Sequence, residues 1–219
     1  TGNNLIPSFT AVNASNNIVS STITVTPSAQ NCQGNPTDFT ISVNPTPIIT
    51  NTSLQQEICP GATTPVSWTS NIDNNLTATY QWTITNSGST VGGFIQNGTG
   101  NLPQMNLTNN GLNPDTISYT VTPSFDGCQG LPVTYNIIVN PGPVMDQITP
   151  QEICSGENFS TTAFNSNVSG ITYQWTLISN NIPTSVSGYP QPSGNGNIVG
   201  TIVENIGTAP YVLEYEVIP

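Results

Sequence analysis

Four cysteines and eleven carboxylates carry most of the chemistry open to this chain, because its 219 residues include no lysine, arginine or histidine. A serine or threonine nucleophile needs a base beside it, usually His or Lys, and neither is present. A phosphate-cradling loop needs its lysine, and Gly92-Gly93 runs into Phe94-Ile95 instead. Glycoside hydrolysis needs only two carboxylates. Glu214 and Glu216 lie two apart and would share a strand face, but Glu216 aligns with Thr120 and Thr24 in repeated copies of the same passage. No recurring acid pair is built, and the chain is expected not to be an enzyme and to hold no cofactor. Calcium is the one candidate ion, since Asp126, Asp146, Glu57 and Glu152 fall near the ends of the expected domains. No Asp-x-Asp-x-Asp loop accompanies them, so solvated acids are the expectation. Isolated cysteines without histidine make poor zinc ligands.

The charge excludes further classes. Charged residues are 5% of the chain, all acidic, for a formal net charge of −11. Neutralising nucleic-acid phosphates needs Lys or Arg, and an anionic membrane surface would repel the chain. No apolar run approaches the roughly 18 residues of a membrane span. No signal peptide is visible, but the sequence reads as opening inside a repeat, so its termini are expected to lie elsewhere.

The elements that would carry these residues recur. Val25-Thr-Pro-Ser28, Cys32-Gln-Gly34, Pro36 and Val43-Asn-Pro-Thr-Pro47 return 96 residues later as Val121-Thr-Pro-Ser124, Cys128-Gln-Gly130, Pro132 and Val139-Asn-Pro-Gly-Pro143. Gln56-Glu-Ile-Cys59 and Thr79-Tyr-Gln-Trp82-Thr83 return as Gln151-Glu-Ile-Cys154 and Thr172-Tyr-Gln-Trp175-Thr176. A fixed period defines the folding unit better than total length does. Residues 1–47 therefore read as the second half of one repeat, 48–143 as a complete repeat and 144–219 as the first part of the next.

Ile and Val, at 22 and 16 against 9 Leu, favour pleated strands over helix. Alternation marks the strands: Tyr80, Trp82 and Ile84; Ile117, Tyr119 and Val121; Val133, Tyr135, Ile137 and Val139. Asp126-Gly127 supplies a turn between the last two. Several short alternating strands in 96 residues predict an all-β fold, a tandem series of immunoglobulin-like β-sandwiches. Trp82 and Trp175 are expected in its core rather than on a sugar-stacking platform. Asn44-Pro-Thr-Pro47 and Asn140-Pro-Gly-Pro143 close each unit with stiff joints, which predicts a semi-rigid rod gaining about 35–45 Å per unit.

Cys59 and Cys154 lie near the start of a unit, Cys32 and Cys128 in the loop between its last two strands. Either Cys59 pairs with Cys128, or Cys32–Cys59 and Cys128–Cys154 join neighbours. An immunoglobulin-like sandwich runs its first strand parallel to its last, which places the start of the first beside the loop preceding the last. On that reading Cys59 bridges Cys128, and Cys32 and Cys154 find partners outside the segment. Four free buried thiols are the alternative. Asn-x-Ser/Thr triplets at Asn13, Asn51, Asn75, Asn97, Asn106, Asn158 and Asn167 are weak glycosylation candidates in an Asn- and Thr-rich chain.

Gln56-Glu-Ile-Cys59-Pro-Gly61, Thr79-Tyr-Gln-Trp82-Thr83, Gly127-Cys-Gln-Gly130 and Val139-Asn-Pro-Gly-Pro143 resemble the PKD-like, immunoglobulin-like repeats of very large Bacteroidota surface proteins, such as SprB-like gliding-motility adhesins. Asp115-Thr116-Ile117 resembles the O-linked glycan acceptor of that phylum, with Thr116 as acceptor. The resemblance implies type IX secretion, an extracellular filament on the outer membrane, and a stalk that carries an adhesive tip to a substratum or surface glycans. Its partners would be neighbouring repeats and the motility and secretion machinery. A laterally assembled coat or sheath, and a glycan-binding module of a secreted enzyme, are the alternative functions.

Overall fold

The computed structural model describes residues 5–72, 76–190 and 192–219, which form strands, turns and bridges with no helix. The chain divides into two compact units, Thr1–Asn140 and Pro141–Pro219. Residues before 48 thus share a unit with the complete repeat.

The first unit opens on a hairpin in which β1 (Val19–Val25) pairs antiparallel with β4 (Thr37–Val43). Its tip carries the two-residue strands β2 (Ser28–Ala29) and β3 (Cys32–Gln33). The complete repeat follows. It comprises β5 (Gln55–Ile58), β6 (Gly61–Ala62), β7 (Thr79–Asn86), β8 (Val91–Gly92), β9 (Asn97–Thr99), β10 (Asn106–Asn109), β11 (Asp115–Phe125), β12 (Cys128–Gln129) and β13 (Val133–Val139). One sheet runs β5-β13-β11-β7-β9, with β12 on the end of β11, and the other runs β6-β10-β8.

Strand β11 is the centre of this sandwich. Every second residue points inward, so Ile117, Tyr119 and Val121 are fully buried, as are Ile137 and Val139 beside them on β13. Leu107 of β10 meets the same core from the other sheet. The register of β1 on β4, Val19↔Val43, repeats 96 residues later as Asp115↔Val139 on β11 and β13. The sequence repeat is therefore a repeat of hairpin register. Asp126 and Gly127, at φ 44° and 84°, make the left-handed two-residue turn that matches strand twist.

The second unit contains β14 (Glu157–Asn158), β15 (Gln174–Leu177), β16 (Val186–Ser187), β17 (Ser193–Asn195), β18 (Ile202–Asn205) and β19 (Tyr215–Ile218). They form two three-stranded sheets, β14-β18-β16 and β17-β15-β19, around Phe164, Trp175 and Ile198.

All four cysteines are free thiols, Cys128 half-buried and the others exposed. The expected Cys59–Cys128 bridge is not formed, and the topology gives the reason. Strand β5 does run parallel to β13, but Cys59 follows its last residue, Ile58, which pairs with Val139 at the far end of β13. Cys128 pairs with Phe125 at the opposite end of the 11-residue β11. The two thiols stand apart by about the length of that strand, roughly 30 Å at 3.3 Å per residue, beyond the reach of a bridge.

Trp82 and Trp175 are 3% and 8% exposed. Each lies over a glycine on the neighbouring strand: Trp82 pairs with Gly98 and Trp175 with Gly194, and a Cβ on either glycine would overlap the indole. Trp82 also meets Tyr119 edge-on, with ring centroids 5.7 Å apart. Overpacking of this kind costs about 1–3 kcal/mol. Gly98→Val is expected to lower the stability of the first unit by that amount, read from the urea midpoint of tryptophan fluorescence. An unchanged midpoint would mean that the indole does not rest on Gly98.

Candidate functional site

With no cation available for an ion pair, the folded chain secures its ends with amide side chains. Asparagines recur at the 96-residue period at positions 13, 109 and 205. Asn109 is buried at the end of β10; its Nδ2 donates to Val139 O at 2.7 Å and Asn113 O at 2.9 Å, while its Oδ1 accepts from Gly111 N–H and Thr90 Oγ1, each at 2.8 Å. It thus clasps the last residue of β13 to the opposite sheet. Asn13 repeats the pattern, donating to Val43 O at 2.8 Å and Asn17 O at 2.7 Å. Asn205 donates to Ala209 O at 2.9 Å and accepts from Gly207 N–H at 3.0 Å.

A second pair of asparagines fixes the chain just after the prolines. Ile48 N–H donates to Asn71 Oδ1 at 2.6 Å, and Asn71 N–H to Ile48 O at 3.1 Å. Val144 and Asn167 make the same two bonds, at 2.7 and 3.1 Å. Between these clasps Pro45 and Pro47 are fully buried. The β11–β13 hairpin loop covers them closely: a Cβ on Gly130 would overlap the Pro47 carbonyl. Asn44 Nδ2 donates to Asp126 Oδ2 at 2.9 Å and Asp126 O at 3.3 Å, tying the end of β4 to the turn of the next repeat. Residues 44–48 are therefore held from both sides, a fixed joint within the first unit.

Two of the four acids considered for calcium, Asp126 and Glu57, are engaged by this arrangement. Asp126 accepts from Asn44, and Glu57 Oε1 accepts from Asn140 Nδ2 at 2.9 Å. Among the described residues no three His, Cys, Asp or Glu side chains gather as metal ligands. Asp115 is the most engaged carboxylate. Its Oδ2 accepts from the Thr90 N–H and hydroxyl, each at 2.9 Å, and the Ser89 N–H at 2.7 Å; its Oδ1 accepts from Thr116 N–H at 2.8 Å. These donors, led by Thr90 N–H, hold its pKa well below the usual carboxylate range. Burial pushes the Tyr119 phenol up to about 12, and its hydroxyl donates to Ile95 O at 2.7 Å.

Thr116 lies on β11, half-buried and paired with Ile138. Of the Asn-x-Ser/Thr positions, Asn13, Asn51 and Asn167 already use their amides in hydrogen bonds, while Asn75 lies outside the described residues. The sequence reading missed these recurring asparagines, which residue type does not set apart in an Asn-rich chain; Asn13 stands out there only as a glycosylation triplet.

A cavity of about 820 Å³ in the second unit is lined by Ile148–Ser155 on one side and by Tyr211, Tyr215 and Val217 on another. In the complete repeat, β13 fills the corresponding place between β5 and β11. Gln151, Glu152 and Asn205 stand among the apolar side chains that line it.

Two outcomes follow. Asn109→Ala leaves Val139 O and Gly111 N–H without this partner in the interior, and is expected to cost about 2 kcal/mol or more by urea denaturation. Exposed Asn97→Ala should stay within about 0.5 kcal/mol, and equal effects would deny the clasp. For Asp115, the folded pKa lies below the unfolded value of about 3.9. Its contribution is therefore complete above about pH 4 and is lost as pH falls through the folded value. Asp115→Asn should flatten the fall of the urea midpoint between about pH 5 and pH 2; an identical pH profile would contradict the bonding described.

No curated protein matches the chain. Residues 56–143, running from β5 through the prolines that follow β13, match the PKD-like domain family, so the complete sandwich is a PKD-like domain.

Proposed function

We propose that this chain is a load-bearing stalk segment of a filamentous, extracellular cell-surface adhesin, built from PKD-like sandwiches in tandem. The observation that carries this reading is the fixed joint at residues 44–48, where two buried prolines are held by hydrogen bonds and close packing from both sides. A spacer of this kind transmits direction from one domain to the next, as a flexible linker does not. Its sequence recurs at residues 140–143, and the clasping Asn71–Ile48 bonds recur at Asn167–Val144. The resemblance of the repeat motifs to Bacteroidota gliding-motility adhesins extends the proposal to export by type IX secretion, with adhesion residing in other regions of the protein.

Burial of Trp68, Trp82 and Trp175 disfavours a glycan-binding module, which would present its aromatic rings to solvent. The absence of Lys and Arg leaves no peptide bond for a trypsin-like protease, in keeping with a surface-exposed polymer. Electron-microscopic images of the isolated full-length protein test the reading. Lone unbranched filaments one domain wide are expected. A lateral lattice would support a coat or sheath instead, and compact particles would overturn both.

A further inference from the structure

The joint also indicates how the cysteines pair. Asn44 and Asn140 occupy the same position of the sequence repeat, Asn44 directly after β4 and Asn140 directly after β13. Around Asn44 the structure contains the repeat that follows, and its Nδ2 donates to Asp126 of that repeat at 2.9 Å. Around Asn140 it contains the repeat that precedes, and Nδ2 donates to Glu57 at 2.9 Å while the Asn140 N–H donates to Ile58 O at 2.9 Å. Combined at a single joint, these contacts bring the Glu57 position of one repeat and the Asp126 position of the next to the same asparagine amide. Two residues beyond each acid stands a cysteine, Cys59 and Cys128. Glu57 of β5 and Cys59 just beyond it are both exposed, and the Cys128 loop packs against the joint through Gly130.

We propose that consecutive repeats are stapled to each other by a disulfide from the Cys59 position of one repeat to the Cys128 position of the next. The inference rests on the tandem reading above. No two of Cys32, Cys59, Cys128 and Cys154 stand in that relation. The partner of Cys59 lies one period beyond Cys128, and the partner of Cys128 one period before Cys59. Two thiols lose two protons and two electrons as the sulfur–sulfur bond forms. The oxidant is a disulfide, on an oxidoreductase or a small molecule, which takes up both and becomes two thiols. The staple spans the joint that the asparagines already order, so domains in series cannot part there while it is intact.

The full-length protein, alkylated before denaturation and cleaved without reduction by an acid-specific protease, gives the pairing by mass spectrometry. Cleavage after each acid leaves the expected cross-link between an Ile-Cys-Pro-Gly peptide and a Gly-Cys-Gln-Gly peptide of the following repeat, identified by flanking residues. In the Cys128→Ser variant, Cys59 should remain oxidised and one Cys59-type thiol of the preceding repeat should become alkylated. A Cys59–Cys128 cross-link, release of Cys59 in that variant, or full alkylation of the wild-type cysteines would overturn the pairing. A peptide map without further repeats would instead remove the tandem reading, and the pairing with it.

Discussion

The parallel pairing of β5 with β13 is the constraint on which the rest of the complete repeat depends. Gln55 opposes Asn136 and Ile58 opposes Val139, so the first and last strands of the sandwich run in the same direction. The strands therefore begin at one end of the domain and leave it at the other. A pull on the two ends slides β5 along β13, loading their hydrogen bonds together rather than one after another. Behind this pair, β13 is anchored by Tyr135, Ile137 and Val139 in the core and by seven register positions on β11. A short ladder thus inherits the support of the whole sheet.

The composition shapes how the ends of that ladder are secured. A chain with eleven acids and no cation cannot form an ion pair between side chains, so its carboxylates are met by amides, hydroxyls and backbone N–H groups. Asp115 gathers backbone N–H groups and hydroxyls, and Asp126 and Glu57 each take a joint asparagine. Asparagine suits this use because one side chain both donates and accepts, matching the unpaired carbonyls and N–H groups left where strands stop. Asn109 does so for β13, and Asn71 for the residue that leaves the prolines.

Strands with strong alternation were legible in the sequence, since β-branched and aromatic residues at period two have one way to bury. Ile117, Tyr119 and Val121 illustrate this, and so does the Asp126-Gly127 turn. The second sheet was less legible. Strands β6 and β8 have two residues each, too few to show a period, and the turn after β8 depends on Gly93 at φ 85° packed against the Asn106 carbonyl. The cysteine pairing failed on one point of direction. The parallel arrangement was read from the fold type, but the sequence did not reveal that Gln55–Ile58 precedes Cys59 as the strand. Cys59 therefore lies at the end of β5 and not at its beginning. The asparagine clasps went unread, because in an Asn-rich chain nothing in residue type separates Asn109 or Asn71 from the rest.

Mechanical unfolding of the chain, held at its two ends in a single-molecule force experiment, tests the central claim most directly. If β5 and β13 carry load in shear, the complete repeat gives one discrete rupture, with a contour gain of about 300 Å for its residues at roughly 3.6 Å each. Gradual extension without a discrete rupture, or rupture in several small steps starting at low force, would contradict a load-bearing sandwich.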